Sequence, residues 1–131
     1  MVRDKQILAK LFQFHPEFRE IFQSESWLHL EEDGNVKVHR AFSAYSQFIA
    51  GKLQNGTLEN AADIFSFVER VITQGAHHAA HAATTCFLEN LMNRVPREIA
   101  PEKFIPLLGP ESRRFCRKWD AVTGYRTKGL W

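Results

Sequence analysis

Long apolar runs are missing from this chain. No segment approaches the roughly 18 consecutive apolar residues that a membrane span requires, so no membrane partner is expected. Residues 1–10 scatter Arg3, Asp4, Lys5 and Lys10 among apolar residues where a secretory signal would carry a continuous apolar stretch, and a cytoplasmic location is predicted. Cysteine is scarce: Cys86 and Cys116 are the only two, too few for a disulfide scaffold. Cys86 falls inside an apolar helical pattern and reads as a small buried hydrophobe, and its pairing with Cys116 is left open. Gly-rich phosphate loops, Gly-x-Ser-x-Gly elbows and cysteine pairs at metal spacing are absent. Nothing near Cys86 lowers a thiol pKa for a nucleophilic pair with His39 or His81. The chain therefore reads as a non-enzyme, with no catalytic residue, no cofactor and no metal. Repeats, low-complexity tracts and sustained heptads are absent too.

What is present is helical periodicity rich in aromatic rings. At 131 residues the chain fits one ordinary domain, and eleven phenylalanines and three tryptophans supply bulky core candidates. The clearest pattern spans 57–92. Thr57 is a good N-cap, and Leu58, Ala61, Ile64, Phe65, Val68, Val71 and Ile72 follow at three- and four-residue steps. After a hinge at Gly75, Ala80, Ala83, Phe87, Leu88 and Leu91 form a second stripe, so 57–92 is predicted to fold as an antiparallel helical hairpin.

The remaining pieces are set by their breaks. Ile7, Leu8, Leu11 and Phe12 lie on a helix over 4–14 that ends at His15-Pro16. Pro16 opens a short helix over 17–23 with Phe18, Ile21 and Phe22 inward. Residues 24–37 are irregular, a loop or a small strand pair, with Asp33-Gly34 as a turn. A helix follows on Val38, Phe42, Tyr45, Phe48, Ile49 and Leu53, closed by Asn55-Gly56. Prolines 96, 101, 106 and 110 forbid long helix after Asn93, so 99–108 should be short turns with Phe104, Ile105, Leu107 and Leu108 inward. Pro110 opens a last helix to about Val122 with Phe115 and Trp119 inward, closed by Gly124. The fold expected is all-α, a compact bundle of about five to six helices around the central hairpin. Residues 1–124 form its single domain, and 125–131 are a loose tail unless Trp131 docks.

Charge is unevenly placed although the net is only +2. Between 17 and 33, Glu17, Glu20, Glu25, Glu31, Glu32 and Asp33 oppose Arg19 alone, a local net of −5. Between 111 and 131, Arg113, Arg114, Arg117, Lys118, Arg126 and Lys128 oppose Glu111 and Asp120, a local net of +4. Such runs are usually solvated helix faces, but complementary fields also select partners. The basic helix could serve nucleic acid, yet Trp119 shares its face with Phe115 and reads as core, so nucleic acid ranks below a protein partner. His77 and His81 stand four apart on one helical face. Their spacing resembles a zinc protease motif, but His78 stands where the glutamate base belongs, and a third ligand is missing.

Phe-Ser-Phe-Val-Glu at 65–69, Gly75, and Cys-Phe-Leu-Glu-Asn-Leu at 86–91 resemble a family of small helical immunity proteins from bacterial polymorphic and contact-dependent growth-inhibition toxin systems. Leu-Phe-Gln-Phe-His-Pro-Glu-Phe at 11–18 and Glu31-Glu32 before a glycine fit the same picture, so the likeness reaches about Asn93. It implies a protein without chemistry of its own that binds a cognate toxin and occludes its active site. Joined to the charge pattern, it predicts that Glu17, Glu20, Glu25, Trp27, Glu31, Glu32 and Asp33 contact a basic, nucleic-acid-cleaving toxin, with Trp27 as aromatic anchor. The alternative is a nucleic-acid-binding or regulatory adaptor using the basic C-terminal helix.

Overall fold

The first helix, α1 (Asp4–Phe14), buries Ile7 and Leu11 completely while Leu8 and Phe12 are half-buried. It begins where the Gln6 side-chain carbonyl accepts the Arg3 N–H at 2.8 Å and stops before Pro16, as the proline requires. The computed structural model describes residues 1–24 and 34–131, with side chains from Lys37 onward in the second stretch. Helix α2 (Pro16–Ser24) follows at once and turns Phe18 and Phe22 inward. Ile21, expected inward, is 54% exposed. The turn at His15 rotates α2 so that only the 18/22 row meets the core.

The predicted turn at Gly34 is the first turn of a helix instead: α3 runs Gly34–Asn55. Val38, Phe42, Tyr45, Ile49 and Leu53 line its buried face. It closes at Asn55-Gly56, where the Thr57 N–H donates back to the Lys52 carbonyl at 2.9 Å. That bond corrects the N-cap expectation: Thr57 is spent on closing α3, and α4 (Ala61–Gln74) begins four residues later behind Asn60, whose φ of 59° is left-handed. Asparagine tolerates that conformation better than most residues.

Helix α4 ends at Gly75. A Cβ there would stand 2.5 Å from the Val71 carbonyl oxygen, so the turn needs glycine for room. Val2 pairs with this turn in an isolated parallel bridge, its N–H donating to the Gln74 carbonyl at 2.9 Å. The second arm of the hairpin is a continuous right-handed rod: α5 (His77–Ala82), a π-helical stretch (Ala83–Leu88) and α6 (Glu89–Met92). It meets α4 near Gly75 and lies along α3 over its whole length. The π turns sit where Thr84 and Thr85 bond back to the carbonyls of Ala80 and His81 at 2.7–3.1 Å, the competition through which Thr loosens a regular helix.

Two short 3₁₀ turns, Pro101–Lys103 and Ile105–Leu107, lay Phe104 and Ile105 over α4 as the prolines dictate. Helix α7 (Pro110–Thr123) then packs against α4 and α6. Its buried row is Ser112, Cys116 and Asp120; Phe115 and Trp119, expected innermost, are half-buried beside it. The described residues form no strand. Buried side chains from Val2 to Leu130 make one contiguous cluster, with phenylalanine at its centre. Rings link α2 to α3 (Phe18–Tyr45, 5.0 Å between centroids), α3 to the π turns (Tyr45–Phe87, 5.9 Å), these to α4 (Phe87–Phe65, 5.9 Å), and α4 to the 3₁₀ turns (Phe65–Phe104, 5.7 Å). Of the tryptophans among the described residues, Trp119 packs half-buried against this cluster and Trp131 is 53% exposed.

Candidate functional site

The acidic surface begins on α2. Glu17 and Glu20 are both exposed on it, the positions that an amphipathic helix burying its 18/22 row turns to solvent. Glu17 lies 4.0 Å from Lys52 Nζ on α3, a partly solvated pair of little energetic weight. Arg19, between the two acids, lies with its guanidinium 5.9 Å from the ring centre of Phe12. Glu25, Trp27, Glu31, Glu32 and Asp33 lie outside the described residues.

Beside these acids is an apolar feature that the sequence did not reveal. Exposed Ile21 borders an open groove of about 480 Å³ between α2 and α3, lined also by Phe22, Arg40, Ser43, Ala44, Gln47 and Phe48. Helical spacing placed Ile21 on the apolar stripe; only the angle at which α2 crosses α3 tells that one of its three apolar residues faces out.

The histidines at 77, 78 and 81 lie in three settings. His81 is joined by His39 from α3, with His39 Nε2 and His81 Nδ1 3.0 Å apart. One ring must donate and the other accept, so the pair is a hydrogen bond between helices. His78, the residue occupying the base position of the protease-like spacing, bonds Asp4 on α1 at 2.8 Å. His77 is exposed. Among the described residues no group of three or more His, Cys, Asp or Glu is placed to hold a metal ion.

His15, read from sequence only as a helix stop, is buried: its Nδ1 shares a 2.9 Å hydrogen bond with the Tyr45 hydroxyl, and its ring stands edge-on to Phe48. Burial lowers its pKa, with Glu17 opposing, and raises that of Tyr45. Both cysteines are free. Burial raises the Cys86 thiol and, with Asp120 nearby, pushes Cys116 up to about 12, which keeps both thiols protonated and weakly nucleophilic at neutral pH.

The basic end differs from its sequence reading. Arg113 donates to the carbonyls of Gly129 and Ile105, each at 2.9 Å, and Arg117 reaches the Leu130 carbonyl at 3.5 Å. The carboxylate of Asp120 accepts the Thr127 N–H (2.7 Å), the Thr127 hydroxyl (2.9 Å) and the Trp131 indole N–H (2.9 Å). Residues 125–131 are therefore pinned with Leu130 buried, a correction of the loose tail and an instance of the docking that Trp131 made conceivable. The sequence signal for this lock was Asp120 itself, an acid on the 112/116/120 row of α7.

Residues 8–123 match the profile of a family described as a domain of unknown function, DUF7674. The chain belongs to that family. No curated protein and no solved structure matches the chain. The matched span takes in all of α2 through α7, and so includes the acidic helix, the groove beside it and Asp120.

Proposed function

We propose that this protein acts by binding, as a cytoplasmic immunity protein that neutralises a cognate bacterial toxin of the nuclease kind by covering its active site. The observation that carries the reading is the α2 face, where Glu17 and Glu20 flank exposed Ile21 at the rim of the groove over Phe22, Ala44 and Phe48. An apolar anchor beside charged side chains is the pattern of an interface core with a charged rim; Glu17 and Glu20 on that rim suit cationic groups of a partner, while Arg19 and Arg40 beside them suit acidic ones. The weakly nucleophilic thiols and the engagement of Asp120, His15 and His78 in structural bonds are in keeping with a role without chemistry of its own.

The test uses the product of the reading frame directly upstream as the toxin. Equimolar addition of this protein should abolish that product's nuclease activity. Ile21→Asp should weaken the complex by about tenfold or more, as for loss of a central anchor, and Glu17→Lys with Glu20→Lys should mainly slow association and reduce its salt dependence. Inhibition unaffected by all three substitutions would remove α2 from the interface, and an upstream product with no affinity for the protein would remove the immunity role.

A further inference from the structure

A second site lies at the C-terminal corner, away from α2. A pocket of about 160 Å³ opens between the end of α6, the following turn and the pinned tail, with Arg97 and Asp120 on its lining. It is far smaller than the pockets that take whole drug-sized ligands, and has room for one ring-sized group. Trp119 and Tyr125 line it together with Asn93, Thr123 and Thr127, the two threonine hydroxyls donating to the Trp119 carbonyl and the Asp120 carboxylate. Tyr125 is 59% exposed, and the residue after it, Arg126, holds its guanidinium 5.1 Å from the centre of the Trp131 ring.

We propose that this corner binds single-stranded nucleic acid, with one base entering the pocket and the sugar-phosphate backbone passing over Arg97 and Arg126. The orientation follows from charge. Asp120, buried and already accepting from Thr127 and Trp131, places a negative charge behind the pocket that repels phosphate from it, whereas Arg97 on the lining and Arg126 beside Tyr125 are exposed. Rings interleaved with cations are how single strands are held without sequence preference: each base offers a face for stacking and each phosphate a charge. Asp120 and Arg126 together fix Trp131 by its N–H and by its face, so the corner is built before a ligand arrives. An acidic protein segment is the rival occupant; it would use the cations but has no need of the pocket.

The experiment measures anisotropy of a fluorescein-labelled oligouridylate of about 12 nucleotides, with polyglutamate as competitor. The protein should bind the oligonucleotide, and Tyr125→Ala should weaken binding by about tenfold, the loss expected for one stacked base. Arg97→Ala should lower the slope of log affinity against log salt by about one phosphate contact. Both side chains are exposed, so circular dichroism should report an intact helical fold in each variant. Absence of binding overturns the proposal. So does binding that ignores Tyr125→Ala and is displaced equally well by polyglutamate, which marks an acidic-protein surface. Glu17→Lys with Glu20→Lys should leave oligonucleotide affinity undiminished, which separates this site from the toxin-binding face.

Discussion

His15 makes a polar contact inside the aromatic part of the core. Its neutral ring completes a hydrogen bond to Tyr45 among Phe18 and Phe48, where a charged imidazolium would be poorly solvated. Since burial lowers the pKa of His15 below 6.5 in the folded state, the unfolded chain binds the proton more readily, and stability falls as pH drops through the unfolded value toward the folded one. The thermal midpoint should therefore decline between pH 7.5 and 5. In a His15→Leu, Tyr45→Phe double variant, which leaves neither polar group unpaired, that decline should be shallower; a slope equal to that of the unaltered protein would show that other groups set it. Glu69 is a second residue with a disproportionate role. From α4 its carboxylate accepts the backbone N–H groups of Glu111 and Ser112 at 3.0 and 2.8 Å and the Ser112 hydroxyl at 2.8 Å, capping α7 from a different helix. Glu69→Ala should cost about 1–2 kcal/mol, the usual weight of a lost cap, read as a shifted midpoint in urea.

Among the elements, Gly75 is the position where substitution should act most directly on the hairpin. Gly75→Ala brings a methyl against the Val71 carbonyl, and the shift needed to relieve it should cost about 1–3 kcal/mol, again measurable in urea. This turn was legible in the sequence because the stripe ending at Ile72 and the one beginning at Ala80 leave a glycine between them. The helix over 4–14 and the one from Pro110 to about Val122 were legible too, as were the proline-bound turns, because periodicity and punctuation are local. Three things were not. The crossing angle of α2, which exposes Ile21, depends on a partner helix. The π turns depend on threonine hydroxyls choosing carbonyls within the chain. The pocket by Asp120 is non-local altogether: its lining comes from α6, the turn after it, α7 and the tail. Of the seven residues predicted to contact a toxin, Glu17 and Glu20 stand at the surface, and Glu25, Trp27, Glu31, Glu32 and Asp33 lie outside the described residues.

At the scale of the whole molecule, the charge asymmetry resolves into two different surfaces. The acidic α2 face has a groove beside it, while two of the six bases in the basic run are engaged internally, Arg113 and Arg117 holding the tail by its carbonyls. The tail should therefore come loose when Asp120 is removed: Asp120→Ala should speed tryptic cleavage at Arg126 and Lys128 under conditions where the rest of the chain stays intact, and an unchanged cleavage rate would show that Leu130 and the arginines suffice. The Glu69 contact reaches further still. A Cβ on Gly109 would lie 2.5–2.6 Å from the Glu69 side chain, so the acid that caps α7 also dictates a bare backbone just before it. Positions 69 and 109 are thus coupled: a smaller residue at 69 would free Gly109 from that constraint, and a side chain at 109 would push the acid off its three donors.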